Sequence, residues 1–135
     1  MIEYNNLKTD EYENILNSVG WKMPSARLLR KSLENGINVK CVVDNKTIGM
    51  ARFVTDGGYA GLIMDVVVIS KYQKKGYGKL LISSLLDYIR KNLEDGEEIM
   101  IQLLSAPGKQ PFYELFGFKV KKNVAEDGMY MWFKK

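Results

Sequence analysis

Histidine is absent from this 135-residue chain, and cysteine occurs once, at Cys41. The first absence excludes Ser-His-Asp hydrolases, papain-like Cys-His pairs, histidine-bearing zinc proteases and any acid–base step on an imidazole. The second excludes an internal disulfide and a Cys-rich zinc site. Proton chemistry then falls to carboxylates, Tyr, Lys, Cys, backbone groups or water, and no metal is implied. Long apolar runs are lacking too. The longest, Val66 to Ile69 with Ile63 and Met64 before it across Asp65, has the length of a strand. A membrane span needs roughly 20 such residues. The opening residues, Met1 to Glu13, are polar and acidic, without the basic and apolar stretches of a secretory signal. The expectation is a cytoplasmic protein with no membrane partner. Repeats, low-complexity tracts and Pro/Ser-rich linkers are missing as well, so residues 1–135 read as one domain.

Lys and Arg number 20 against 16 Asp and Glu, for a formal net charge of +4. That excess is modest, and only clustering would give it meaning for nucleic acid. Lys71, Lys74, Lys75 and Lys79 form one cluster; Lys119, Lys121, Lys122, Lys134 and Lys135 form another, read as solvated surface. No nucleic-acid partner is expected.

Met1 to Tyr4 suits a short edge strand. From Thr9 the pattern turns helical, with Thr9 or Asp10 as cap, Glu11 and Glu13 near the positive end, and Tyr12, Ile15, Leu16 and Val19 as the apolar stripe. Gly20 ends that helix, and Ser25 opens a second one carrying Leu28, Leu29 and Leu33. Strands are expected over 37–43, 47–55 and 59–69, with turns at Asp44-Asn45-Lys46 and at Asp56-Gly57-Gly58. A long helix follows over 76–93, then a strand over 99–104. A short helix over 107–116 and a hairpin of Phe118–Val120 with Met129–Phe133 close the chain. An antiparallel meander, one β-α-β crossover and a tail hairpin give an α/β (α+β) fold around one mixed, mostly antiparallel sheet flanked by helices.

The segment Asp65 to Leu81 carries the most chemistry. A buried strand runs into a short loop, and a helix begins at its glycines. The first amides of a helix have no intrahelical partner and the dipole is positive there. Glycines also let a ligand approach the backbone, and Lys74, Lys75 and Lys79 add charge, so a diphosphate is the natural guest. The P-loop pattern does not fit Gly76-Tyr77-Gly78-Lys79-Leu80, and a dinucleotide fingerprint would need glycine where Leu81 stands.

The spacing Gln73-Lys74-Lys75-Gly76-Tyr77-Gly78 instead resembles the pyrophosphate loop of the GNAT superfamily of acetyl-CoA-dependent N-acetyltransferases. Residues Pro111 to Phe118 are similar to the FYxxxGF signature that closes the core of that family. The order of elements agrees over nearly the whole chain. The resemblance implies acetyl-CoA as cofactor, its pantetheine arm on the backbone of the Val66-Val67-Val68 segment and its diphosphate on amides from Gln73 to Gly78, with Tyr77 and Lys79 alongside. It implies Tyr113 as the acid that protonates the departing thiolate, with Phe112 packed against the core or the cofactor. Two places depart from the pattern of many members: Ala106 and Lys109 stand where Asn and Ala are common, and Ser70 stands where proline is usual.

Other candidates divide between site and scaffold. Asp65 is a carboxylate in an apolar strand, open to a role as general base or as a hydrogen-bonded structural residue; a bulge would decide which face it takes. Trp21 and Met23, in the loop that borders the acceptor pocket in this family, are candidate acceptor contacts, with Tyr59 a weaker one. Cys41, mid-strand, reads as a small buried hydrophobe. The implied activity is transfer of an acetyl group to a small-molecule primary amine. A protein lysine or N-terminus as acceptor, and a coenzyme-A-binding module without turnover, stay as alternatives. The tail hairpin offers edge strands for a homodimer.

Overall fold

The computed structural model describes residues 1–123, 131, 132 and 134. They fall in two compact units, Met1–Leu103 and Leu104–Lys135.

The first unit is built on a five-stranded sheet in the order β1-β2-β3-β4-β5. Strands β1 (Ile2–Tyr4), β2 (Ile37–Val43), β3 (Lys46–Thr55) and β4 (Ala60–Val68) pair antiparallel, and β5 (Met100–Leu103) pairs parallel with β4. Asp44 and Asn45 connect β2 to β3 with φ of 49° and 58°, the two positive angles of a type I′ turn. At the β3–β4 turn the Asp56 carboxylate accepts from the Gly58 amide at 2.8 Å, while Gly57 takes a φ of 86°. Gly61 meets a steric demand: a Cβ there would lie 2.2 Å from Cζ of Phe53, so only glycine leaves room for that ring.

Helices α1 (Thr9–Ser18) and α2 (Ala26–Asn35) cover one face of the sheet, where Tyr12, Ile15, Leu16 and Leu29 pack with Met50 and Val67. Helix α3 (Tyr77–Lys91) crosses the other face. There Gly49 comes so near that a Cβ would sit 3.1 Å from Leu81, and Leu81, Ile82, Leu85 and Ile89 supply the buried stripe. Burying each of these leucines or isoleucines is worth about 2–3 kcal/mol against leaving it in water. The cap of α1 is Lys8 rather than Thr9 or Asp10, because Glu11 reaches back to accept from the Lys8 amide at 2.8 Å. That carboxylate also takes Lys40 Nζ, at 2.8 and 2.9 Å, so a nearly buried lysine of β2 is neutralised from the helix.

In the second unit α4 spans only Gln110–Glu114, shorter than the expected 107–116. Gly108, at a φ of 77°, turns the chain, and the Lys109 amide bonds Ala106 O at 3.0 Å, so the helix starts later. Phe118–Val120 forms no strand and leads into a 3-10 turn at Lys121–Asn123. The partner strand expected at Met129–Phe133 lies outside the described residues, except Met131 and Trp132, which are exposed.

Candidate active site

Strand β5 pairs with β4 only from Ala60 to Ile63. Beyond Ile63, β4 continues to Val68 with β3 on one side and no strand on the other among the described residues. The Ile69 amide donates to Ile48 O of β3 at 2.9 Å, so by the alternation of the pleat Val68 and Val66 turn their backbone groups away from β3. Val68 O bears this out, since it accepts from the Gln73 side chain at 2.8 Å. Val67 does the reverse. It pairs with Met50, is 4% exposed in the α1/α2 core, and offers neither side chain nor amide to the open edge.

A bulge falls between the paired and the unpaired stretch of β4. Arg52 opposes Met64 and Met50 opposes Val67, so Asp65 and Val66 together face the single residue Ala51. Asp65 adopts a φ of 52° inside the strand. Its Oδ2 accepts from Arg52 Nε at 2.9 Å and from the Tyr12 hydroxyl. The Arg52 guanidinium also lies 5.3 Å from the centroid of the Tyr12 ring. Of the two roles open to Asp65, the structure shows the hydrogen-bonded one. Sequence reasoning placed Tyr12 in the core stripe and passed over Arg52. The available signal was an arginine in the middle of an otherwise apolar strand.

After Val68 a 3-10 turn, Ser70–Tyr72, leads to a loop in which Lys74 and Gly76 take φ of 59° and 89°. Left-handed residues alternating with right-handed ones turn successive amides to a common concave side. The Gln73 amide is already used, donating to Ser70 O at 3.1 Å, and its side chain ties the loop to Val68. Gln73 therefore shapes the loop rather than offering its amide. The six amides from Lys74 to Lys79 donate to no protein acceptor among the described residues, and the first helical bond of α3 is Leu80 N–H to Gly76 O at 3.0 Å. Among the described residues, and apart from its chain neighbours, nothing lies within 4 Å of where a Gly76 Cβ would be. Lys71 and Lys75 place their ammonium groups 4.9 and 5.7 Å from the Tyr72 ring centroid, and Tyr77 meets that ring edge-on. Free amides, open space and positive charge suit an oxygen-rich dianion such as a diphosphate.

Trp21 and Met23 lie in the α1–α2 loop, 47% and 42% exposed. Tyr59 precedes β4, whereas the amide loop follows it, and a strand of that length separates the two ends by roughly 26 Å. Cys41 is fully buried, and desolvation pushes its thiol up. In the second unit Phe112 and Tyr113 are half-buried and meet edge to face, with Phe116 and Phe118 completing the cluster; Glu114 is exposed. Burial raises the Tyr113 phenol above its ordinary value.

The model of the acetyltransferase (GNAT) family matches residues 3–118. The chain belongs to the GNAT acetyltransferase family. A protein of Pyropia yezoensis described as an uncharacterized N-acetyltransferase is 28% identical over 130 residues, 93% of this chain and 72% of that one. Among solved structures, a probable acetyltransferase of Staphylococcus aureus superposes with a TM-score of 0.86 at 24% identity, covering 98% of both chains. A GNAT family protein of Streptococcus pneumoniae superposes at 0.80 with 22% identity, over 100% of this chain and 99% of the other. At these identities the superpositions establish the GNAT fold, and the family model places the chain among the GNAT acetyltransferases. Among the described residues, no helix is long and apolar enough to cross a membrane.

Proposed function

We propose that the protein transfers an acetyl group from acetyl-CoA to a primary amine of a small molecule, by direct attack and without a covalent enzyme intermediate. The observation that carries this reading is the junction of β4 and α3. Among the described residues, an unpaired strand edge there runs into six free amides at a glycine-bearing helix start. These residues fit a long ligand with amide groups at one end and a diphosphate further along. Acetyl-CoA, when bound, supplies the activated thioester.

The chain's own contribution is to bind, orient and hold a proton. Outward backbone groups of Val66 and the Val68 amide, whose carbonyl is taken by Gln73, would grip the pantetheine amides, and the amides from Lys74 to Lys79 would hold the diphosphate. Fixing the thioester in this way converts an encounter between two molecules into a local one, a large part of the barrier in such transfers. Tyr113, a phenol that is protonated at neutral pH, would give its proton to the departing thiolate, while the proton the amine loses on attack passes to water and restores the phenol. Cys41 is withdrawn in the core with its thiol pushed up, which favours direct transfer over an acyl-cysteine. Trp21 and Met23, apolar and half-exposed, are the surfaces offered to an acceptor.

Release of free thiol from acetyl-CoA, followed with a panel of polyamines, aminoglycosides, arylalkylamines, amino acids and lysine peptides, tests the reading. Turnover well above the uncatalysed rate with at least one small amine is expected. Turnover confined to the peptides would overturn the choice of acceptor. Coenzyme A binding with no turnover on any amine would make the protein a binding module.

A further inference from the structure

We propose that Asp65, clamped by Arg52 and Tyr12, is a positioning residue whose carboxylate fixes the backbone turn that aims Val66 and Val68 out of the open β4 edge. The inference rests on reading that edge as the cofactor's. A left-handed residue inside a strand is disfavoured for L-residues, and Asp is among the few that adopt it readily. Here it falls at the bulge, two residues after pairing with β5 stops at Ile63. The bulge is thus the point at which β4 changes from a paired strand to a free edge.

Three elements meet on one carboxylate oxygen. Arg52 reaches it from β3 at 2.9 Å, Tyr12 reaches it from α1, and Asp65 itself belongs to β4. The side chains of Arg52 and Asp65 are only 10% and 16% exposed, and Tyr12 is buried. Taking an ion pair out of water costs nearly as much as the pairing returns, so such a cluster is a poor means of adding stability. Its effect is geometric, since it leaves the backbone at residue 65 a single conformation. Oδ2, committed to a guanidinium and a hydroxyl, is arranged to hold a position.

The test compares Asp65→Ala, Asp65→Asn and Tyr12→Phe with the unsubstituted protein. It uses calorimetric titration with coenzyme A, thermal unfolding, and kcat against pH with an active amine. Asp65→Ala, losing both the clamp and the tolerance for positive φ, should weaken coenzyme A binding about tenfold. Asp65→Asn should rescue most of this, losing roughly threefold, because Asn tolerates the same φ and its amide oxygen still accepts from Arg52. Tyr12→Phe, which keeps the ring and removes one clamp, should weaken binding several-fold. The shape of the kcat profile should persist in Asp65→Asn. Undiminished coenzyme A affinity in a folded Asp65→Ala overturns the proposal. So does an Asp65→Asn protein that binds coenzyme A normally yet loses kcat more than a hundredfold, which would make Asp65 the base. If Asp65→Ala does not fold, Tyr12→Phe decides: weakened affinity supports the clamp and unchanged affinity overturns it. Absence of coenzyme A binding by the unsubstituted protein would instead be a failure of the acetyl-transfer reading.

Discussion

Burial raises the Tyr113 phenol above its ordinary value of about 10. If it is the acid, it keeps its proton across the neutral range, and the high-pH fall in rate should lie beyond that of an ordinary phenol. Tyr113→Phe keeps the ring that packs edge-on with Phe112 and Phe118. It should therefore leave coenzyme A affinity intact and lower kcat about a hundredfold, the smaller end of what a lost general acid costs, with the high-pH limb gone. A pH–rate profile of the folded variant, under conditions where chemistry limits the rate, checks both. Trp21, half-exposed in its loop, makes a different prediction. Trp21→Ala should raise the acceptor KM about tenfold, as loss of one large apolar contact does, and leave coenzyme A affinity unchanged. Steady-state kinetics with each ligand varied in turn separates this from a scaffold role, in which both would suffer along with thermal stability.

At the scale of elements, α1 is held to the sheet through Glu11 as well as through its apolar stripe. Desolvation works to raise the Glu11 carboxyl. Hydrogen bonds from Lys40, Thr47 and the Lys8 amide, and the charge of Lys40, outweigh it, so the group titrates below its ordinary value. A depressed carboxyl contributes stability above its unfolded pKa, near 4.3, and loses that contribution as pH falls through the lower folded value. Lys40 is only 6% exposed at its side chain, and after Glu11 its nearest carboxylate is Glu3 at 3.6 Å. Glu11→Gln should cost about 2–3 kcal/mol at pH 7, less than breaking a fully buried pair, because Glu11 is partly exposed and Glu3 remains. Urea unfolding at pH 7 and pH 3 should show the gap between variant and wild type narrowing in acid. Sequence periodicity was enough to place α1, α2, α3 and the meander strands within a residue or two, since each carries its own apolar pattern and turn. Helix α4 is shorter than its pattern suggests because the turn at Gly108 delays its start, while the flanking residues still read as helical.

Over the whole molecule, what local pattern cannot express is how residues far apart in sequence converge. The loop from Gln73 to Gly78 was legible because its chemistry is contiguous: strand, glycines, helix start. The role of Gln73 was not, because its amide and side chain are consumed by Ser70 and Val68, a fact of three dimensions. Likewise the backbone of Val66 and Val68 was expected at the edge from family likeness, yet Val67 turns inward through the register with β3. The cluster of Tyr12, Arg52 and Asp65 spans a helix and two strands, and each member alone had a plainer reading. The free amides that follow the open edge of β4 carry the proposed cofactor site. Calorimetric titration of coenzyme A into the protein and into Gly76→Val tests it most directly. Gly76 holds a φ of 89° that valine strongly disfavours, and beyond its chain neighbours no described residue comes within 4 Å of its Cβ position, so the variant should fold while its loop and ligand approach are spoiled. Saturable binding by the wild type, weakened at least about tenfold in Gly76→Val, is the expected result. Equal affinity in the two proteins would contradict the placement of the diphosphate, and no binding by either would contradict the account itself.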